Sequence, residues 1–268
     1  MGNYNSGKTR IRPAFEVIEQ NPKPFFALLS KKFGNEFSST AIIKEIEFSG
    51  SKKGNGKEKG FNPNPEYLKW LLEHPEETEI KRELERKREK KERLSESDKK
   101  REQLVSSDEA EAKSALDEGL SGIGECEKSG RFCRKWFVLE GMTKPDVFIH
   151  TDKFYLIIEG KRTEHRPERH TTWKRDRHQI VRHLEGLRLY VEQEKTSLPA
   201  YGIFIVEEAD LVNFCIYKTM EPFDKSLPHL PEKERDEIKN MFKGCLTWDE
   251  IRKAYGDIIL YPNCVSQE

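Results

Sequence analysis

The second half of the chain predicts an α/β fold, because three features follow one another there. A helix signature opens after Ser106, three extended stretches lie between Lys135 and Lys161, and a long amphipathic helix leads into the apolar run Tyr201–Val206. The order is α, β, β, β, α, β. A nearly continuous apolar strand such as Tyr201–Val206 belongs inside a sheet covered on both faces.

The chain has 268 residues, enough for one elaborated domain or one domain with an appendage. Three regions are expected: a helical and loop region at 1–75, a charged arm or linker at 76–106, and a catalytic-type domain with C-terminal helices at 107–268. In the first, Pro13–Phe33 has the apolar spacing of short helices interrupted at Pro22 and Pro24, and Ile42–Phe48 suits a short strand or helix. Ser49–Pro65 is rich in Gly, Lys, Asn and Pro and reads as a loop. Tyr67, Trp70, Leu71 and Leu72 then mark one short amphipathic helix.

Charge is concentrated in Glu76–Glu102, where 21 of 27 residues are acidic or basic. Ile80 and Leu84 form one apolar pair, but Leu94 and Leu104 stand ten residues apart, so no continuous stripe forms. The expectation is a solvated helical arm held by i,i+4 ion pairs; an arm that forms a homodimer or grips nucleic acid is the alternative. Beyond it, Ser106 with Glu109 makes a capping signature for a helix over Ser107–Leu120. Lys135–Leu139, Asp146–Thr151 and Lys153–Lys161 read as strands, Thr172–Glu194 as a helix, and Thr247 with Glu250 as the cap of a last helix ending near Gly256.

Composition narrows the function classes. Lys+Arg and Asp+Glu both number 48, so binding to nucleic acid or membrane must come from a local patch. Apolar runs are too short to span a bilayer, and no secretion signal is seen, which points to a soluble cytoplasmic protein with no membrane partner. Five scattered cysteines, none in a C-x-x-C pair, argue against a disulfide framework and a structural zinc. Gly2–Thr9 spells G-x-x-x-x-G-K-T, but no strand precedes it and no apolar helix follows, so it is not read as a phosphate loop. His165, His170, His178 and His183 lie among arginines that would repel a cation, and are not read as a metal cluster.

One constellation carries chemistry. In an extended chain residues two apart share a face, so Glu159 and Lys161 project together. If Asp146–Thr151 and Lys153–Lys161 form an antiparallel pair turning near Asp152, Asp146 arrives beside Glu159. Two carboxylates suit a Mg²⁺ that keeps several waters, a lysine can orient an attacking water, and Gly160 leaves its carbonyl accessible as a further oxygen ligand. Lys161–Arg188 also carries eight Arg and Lys residues beyond Lys161 itself, a basic stretch fitted to phosphate. The competing structural reading is a proline-led turn at Asp146 and a surface ion pair at Glu159 and Lys161.

On these residues, Pro145-Asp146 and Glu159-Gly160-Lys161, the segment Ser107–Val206 resembles the PD-(D/E)xK nuclease superfamily. The resemblance implies a restriction-endonuclease-like core with a mixed central sheet and metal-dependent phosphodiester hydrolysis, with DNA as the expected substrate. Asp146 and Glu159 would bind Mg²⁺ or Mn²⁺, and Lys161 would serve the attacking water. An acidic residue from the preceding helix is common in such enzymes, and Glu118 is the candidate, with Glu111 and Glu125 as rivals. Relatives of the RecB type carry Q-x-x-x-Y on the following helix; here Gln179 is followed by His183. Arg162, Arg166, Lys174 and Arg175 are the candidate phosphate contacts. A non-catalytic nucleic-acid-binding or assembly protein with a degenerate fold of this kind is the rival reading.

Overall fold

The computed structural model describes residues 11–49, 59–132, 135–161, 165–168 and 170–255. Its centre is a five-stranded mixed sheet in the order β1 (Ile43–Phe48), β2 (Val147–Thr151), β3 (Tyr155–Gly160), β4 (Ala200–Val206) and β5 (Phe242–Thr247). β1, β2 and β3 pair antiparallel, and β4 and β5 continue the sheet in parallel. The β2–β3 turn is closed by Thr151, whose hydroxyl donates to the Phe154 carbonyl at 2.8 Å and accepts from the Phe154 amide at 2.8 Å.

The strands alternate between two cores, as the pleat requires. Val147, Ile149, Leu156, Ile158, Ile203 and Ile205 face one side, and there α1 (Arg12–Gln20), α2 (Lys23–Phe33) and α10 (Trp248–Ala254) supply Phe15, Phe25, Phe26 and Trp248. Phe148, Tyr155, Ile157, Phe204 and Val206 face the other, against Ile180, Leu184 and Leu187 of α7 (Gln179–Gln193). The prolines at 22 and 24 separate α1 from α2, as the sequence predicts. The rest of this second layer is a 3₁₀ stretch over Glu208–Lys218, then α8 (Glu221–Ser226) and α9 (Glu232–Met241).

Two expected elements change place. Lys135–Leu139 is irregular, and the strand on the outer side of β2 is Ile43–Phe48, from far upstream. Trp136, Phe137 and Leu139 instead join a third core among α3 (Pro65–Glu73), α4 (Ile80–Glu89), α5 (Glu96–Leu104) and α6 (Glu109–Ser129). The region 1–75 thus contributes a strand to the same sheet as 107–268, and no boundary of the sheet falls at residue 75. α6 is capped by Asp108, which accepts from the amides of Ala110 and Glu111, and runs past Leu120 to Ser129. α7 begins at Gln179 rather than Thr172, because Asp176 sits at φ 58° and interrupts the helix. The Thr247–Glu250 capping box forms as the spacing requires.

The charged run is not a solvated arm. It folds back on itself, with Lys91 at φ 54° in the turn, so that α4 packs on α5 and α5 on α6. Ile80, Leu84 and Leu104 are all buried. Between the two helices Lys87 donates to both oxygens of Asp98, at 2.8 and 2.9 Å, and Arg88 pairs with Glu102. Leu84→Ala is therefore expected to cost about 2–4 kcal/mol, measured by urea unfolding; a cost near zero would mean that the hairpin is solvated after all.

Asp98 adds a pH signature. Burial disfavours its charged form, but the hydrogen bonds from Lys87 and Ser95 outweigh this and lower its pKa from 3.8 to about 2. A depressed carboxylate stabilises the fold above its unfolded pKa, and that contribution is lost as pH falls through the folded value. Acid titration of tryptophan fluorescence should show loss of structure between pH 3.8 and about 2, and Asp98→Asn should flatten that window.

Candidate active site at the ends of β2 and β3

The β2–β3 register pairs Val147 with Ile158, and one further step sets Asp146 opposite Glu159. The Asp146 carbonyl accepts from the Ser49 amide at 2.8 Å, extending the β1–β2 ladder, while its Oδ2 accepts from the Gly160 amide at 2.9 Å. The tight turn near Asp152 thus sets Asp146 and Glu159 at opposing positions of neighbouring strands.

Glu159 and Lys161 share the face turned toward α7, and both are buried, at 4% and 8% exposure. Lys161 Nζ lies 3.1 Å from Glu159 Oε1 and donates to Gln179 Oε1 at 2.9 Å. Its backbone is fixed as well: the amide donates to Ile205 O at 2.8 Å, and the carbonyl accepts from Trp248 Nε1 at 2.9 Å. An ion pair this deep is not a surface pair.

His183, one helical turn beyond Gln179, completes the group. Its Nε2 is 3.2 Å from Glu159 Oε2, and its Nδ1 is 2.6 Å from the Thr143 hydroxyl. An ionised Glu159 can only accept, so Nε2 carries the proton between them. Burial works against the charge on Glu159, but the bond from His183 and the nearby Lys161 ammonium prevail and hold its carboxyl below the ordinary glutamate value. The helix face therefore presents Gln179, the auxiliary candidate, to the lysine and His183 to the glutamate; His183 is not among the expected site residues, and its one-turn interval from Gln179 is the signal that could have found it.

The chemistry of this donor set fits a hard divalent cation. Asp146 and Glu159 offer carboxylate oxygens from adjacent strands, and a Mg²⁺ or Mn²⁺ that retains waters needs only one or two such ligands. Among the described residues no cluster of three or more His, Cys, Asp or Glu side chains is placed to hold a metal. Gly160 has a packing reason of its own. A Cβ there would come within 2.4 Å of Ile11 Cδ1 and 3.2 Å of Trp248 Cζ2 on the face away from Glu159.

Several expected residues lie elsewhere. Glu118 is on α6, half-exposed, with Lys100 at 2.6 Å and Trp136 Nε1 at 3.1 Å; its helix packs on α3 and α5 and not on the sheet. It is not brought to Asp146 and Glu159. Lys174 and Arg175 are bound to Glu77 at 2.8 Å and Glu79 at 2.7 Å, where they tie the β3–α7 connection to the helical hairpin. Arg177, Arg182 and Arg188 are likewise paired with glutamates, so most of the basic stretch is neutralised within the fold. Arg166 is exposed. Arg162 and Gly2–Thr9 lie outside the described residues. The histidines do not cluster: His165 meets Asp210, and His178 meets Tyr217. Cys215 and Cys245 are free thiols.

No helix among the described residues is long and apolar enough to cross a membrane. Comparison with protein-family models, with curated proteins and with solved structures finds no significant match to this chain.

Proposed function

We propose that the protein is a metal-dependent nuclease of the PD-(D/E)xK type, with a restriction-endonuclease-like core, and that DNA is its substrate. The observation that carries this reading is the buried Lys161, bonded to both Glu159 and Gln179, at the end of the strand whose Gly160 amide donates to Asp146. β2, β3, the crossover helix α7 and the parallel strand β4 follow one another in the expected order, with the third antiparallel strand, β1, supplied from upstream.

Asp146 and Glu159 would hold Mg²⁺ or Mn²⁺, which supplies positive charge to the attacked phosphate when bound. The chain's own groups do the positioning. Lys161 is held by Gln179 on one side and Glu159 on the other, so its ammonium can orient an attacking water without first losing side-chain freedom. His183 keeps Glu159 ionised and aimed. Asp146 secures the end of β3 through the Gly160 amide, which fixes the spacing of the two carboxylates.

The test is incubation with plasmid, linear duplex, single-stranded DNA and RNA, each with Mg²⁺, Mn²⁺ or chelator. Metal-dependent cleavage by the wild type and its loss in Asp146→Asn, with an unchanged melting temperature, is the expected result. Equal cleavage by wild type and Asp146→Asn at every Mg²⁺ concentration would remove the site. Binding of nucleic acid without cleavage would favour a degenerate, non-catalytic relative.

A further inference from the structure

A cation that already faces a carboxylate gains little from a phosphate, whereas an exposed, unpaired one exchanges loosely held counterions for it. By that measure the basic stretch after the site is a poor landing place, because Lys174, Arg175, Arg177, Arg182 and Arg188 each have a glutamate within ion-pair distance. The stretch before the site has the opposite character. Residues 128–145 hold five basic residues and one acidic residue, in a chain whose charges balance overall. The acidic one, Glu140, is buried against Arg177 and Arg182. Lys128, Arg131, Lys135 and Lys144 are exposed, and among the described residues none of them has a carboxylate within ion-pair distance. Arg134, the fifth, lies outside the described residues.

The fold gathers these cations. Phe61 and Thr143 exchange both backbone hydrogen bonds, at 2.8 and 2.9 Å, and the next residue, Asn62, donates from Nδ2 to the Gly130 carbonyl at 3.4 Å. One dipeptide, Phe61-Asn62, thus ties the residue before Lys144 to the residue before Arg131. Lys128 lies two residues before Gly130, in the last turn of α6. Trp136 and Phe137 pack on Gly119 and Gly122, which keeps Lys135 along the same helix. Lys144 also stands two residues before Asp146, with Cα atoms no more than about 7 Å apart. An anion held at Lys144 therefore borders the proposed metal site.

We propose that the phosphate backbone of the substrate lies across this face, on Lys128, Arg131, Lys135 and Lys144, with Lys144 as the contact nearest Asp146. The inference deepens the nuclease reading and rests on it for the identity of the polyanion. It moves the expected phosphate contacts from Lys174 and Arg175, which brace the helical hairpin, to the connection between α6 and β2. Contacts of this kind position the duplex without reading its sequence.

The test is the salt dependence of binding to a labelled linear duplex in Ca²⁺, followed by fluorescence anisotropy. Changing all four residues to glutamine should reduce the slope of log affinity against log salt by roughly 3–4, about one for each lost phosphate contact, and weaken binding at least about tenfold at about 0.1 M salt. Arg131→Gln and Lys144→Gln alone should each reduce the slope by about one. All four side chains are exposed, so melting temperatures should be unchanged. The control carries Lys31→Gln, Lys218→Gln and Lys233→Gln, three exposed lysines on other elements, and its slope should stay within about half a unit of wild type. A wild-type slope in the four-residue variant, or an equal loss in the control, overturns the surface. If metal-dependent cleavage accompanies that result, the nuclease reading stands without the surface; the expected loss of slope with no cleavage under any metal does the reverse. A wild type that binds no duplex at any salt concentration overturns both.

Discussion

Lys161→Ala is expected to lower single-turnover cleavage by roughly 10²- to 10⁴-fold while binding to nucleic acid in Ca²⁺ falls little. One ammonium contributes little to phosphate affinity, but it is the group that Glu159 and Gln179 hold in place. Lys161→Arg should not rescue the rate. The guanidinium is broad and planar, and the space between Glu159, Gln179 and the end of β3 is set for a compact ammonium. Stability is the control. The Lys161–Glu159 pair is buried, so alanine leaves Glu159 with His183 as its remaining partner among those described, and some loss of melting temperature accompanies the change. A merely structural lysine predicts that stability falls and the rate per folded molecule stays at the wild-type value, and that result would remove Lys161 from the mechanism.

The parts of this site that were legible in the sequence are those set by local geometry. Asp146 and Glu159 stand about equally far from the turn near Asp152, so a tight hairpin must bring them together, and the alternation of faces places Glu159 with Lys161. Gln179 stands on the helix that follows; His183, one turn further on, was not expected at the site. The misplaced parts depend on distant packing. KWFVL at 135–139 has the aromatic and β-branched content of a strand, but its rings are buried by α6 and α3. IKEIEF at 43–48 alternates weakly, and its partner β2 lies about a hundred residues later. Taking the first for the second made α6 look like the helix before the sheet, which is why Glu118 was assigned to the site. The charged run conceals its core for a similar reason: folding back at Lys91 brings Leu84 and Leu104 into one cluster that no linear spacing reveals.

The arginines show the same limit, and Arg177 shows it most sharply. In sequence it belongs to a basic stretch suited to phosphate; in the structure it is 1% exposed and donates to Glu140 at 2.8 and 2.9 Å, to Glu185 at 2.6 Å and to the Ser226 carbonyl at 2.6 Å. Its guanidinium lies 3.8 Å from the ring centre of Tyr67, so one side chain joins α3, the start of α7 and the end of α8. Glu185 also accepts from Asn64 at 2.9 Å and lies 2.7 Å from His229 Nε2. Arg177→Met is expected to cost about 3–5 kcal/mol, because two buried carboxylates lose the cation they share, leaving Glu140 with Arg182 and Glu185 with His229. The pH dependence separates this cause from lost packing. Burial opposes the charge on Glu185, but Arg177 and then His229 outweigh it and draw its pKa from 4.5 down to about 2. In wild type the resulting stability is present above pH 4.5 and is lost as pH falls toward 2. Without Arg177 the folded pKa rises, the variant has less to lose in acid, and the gap between the two proteins should narrow over that interval. Urea unfolding of both proteins across it measures the effect, and a gap that stays constant with pH would assign the cost to packing on Tyr67 rather than to the buried charges.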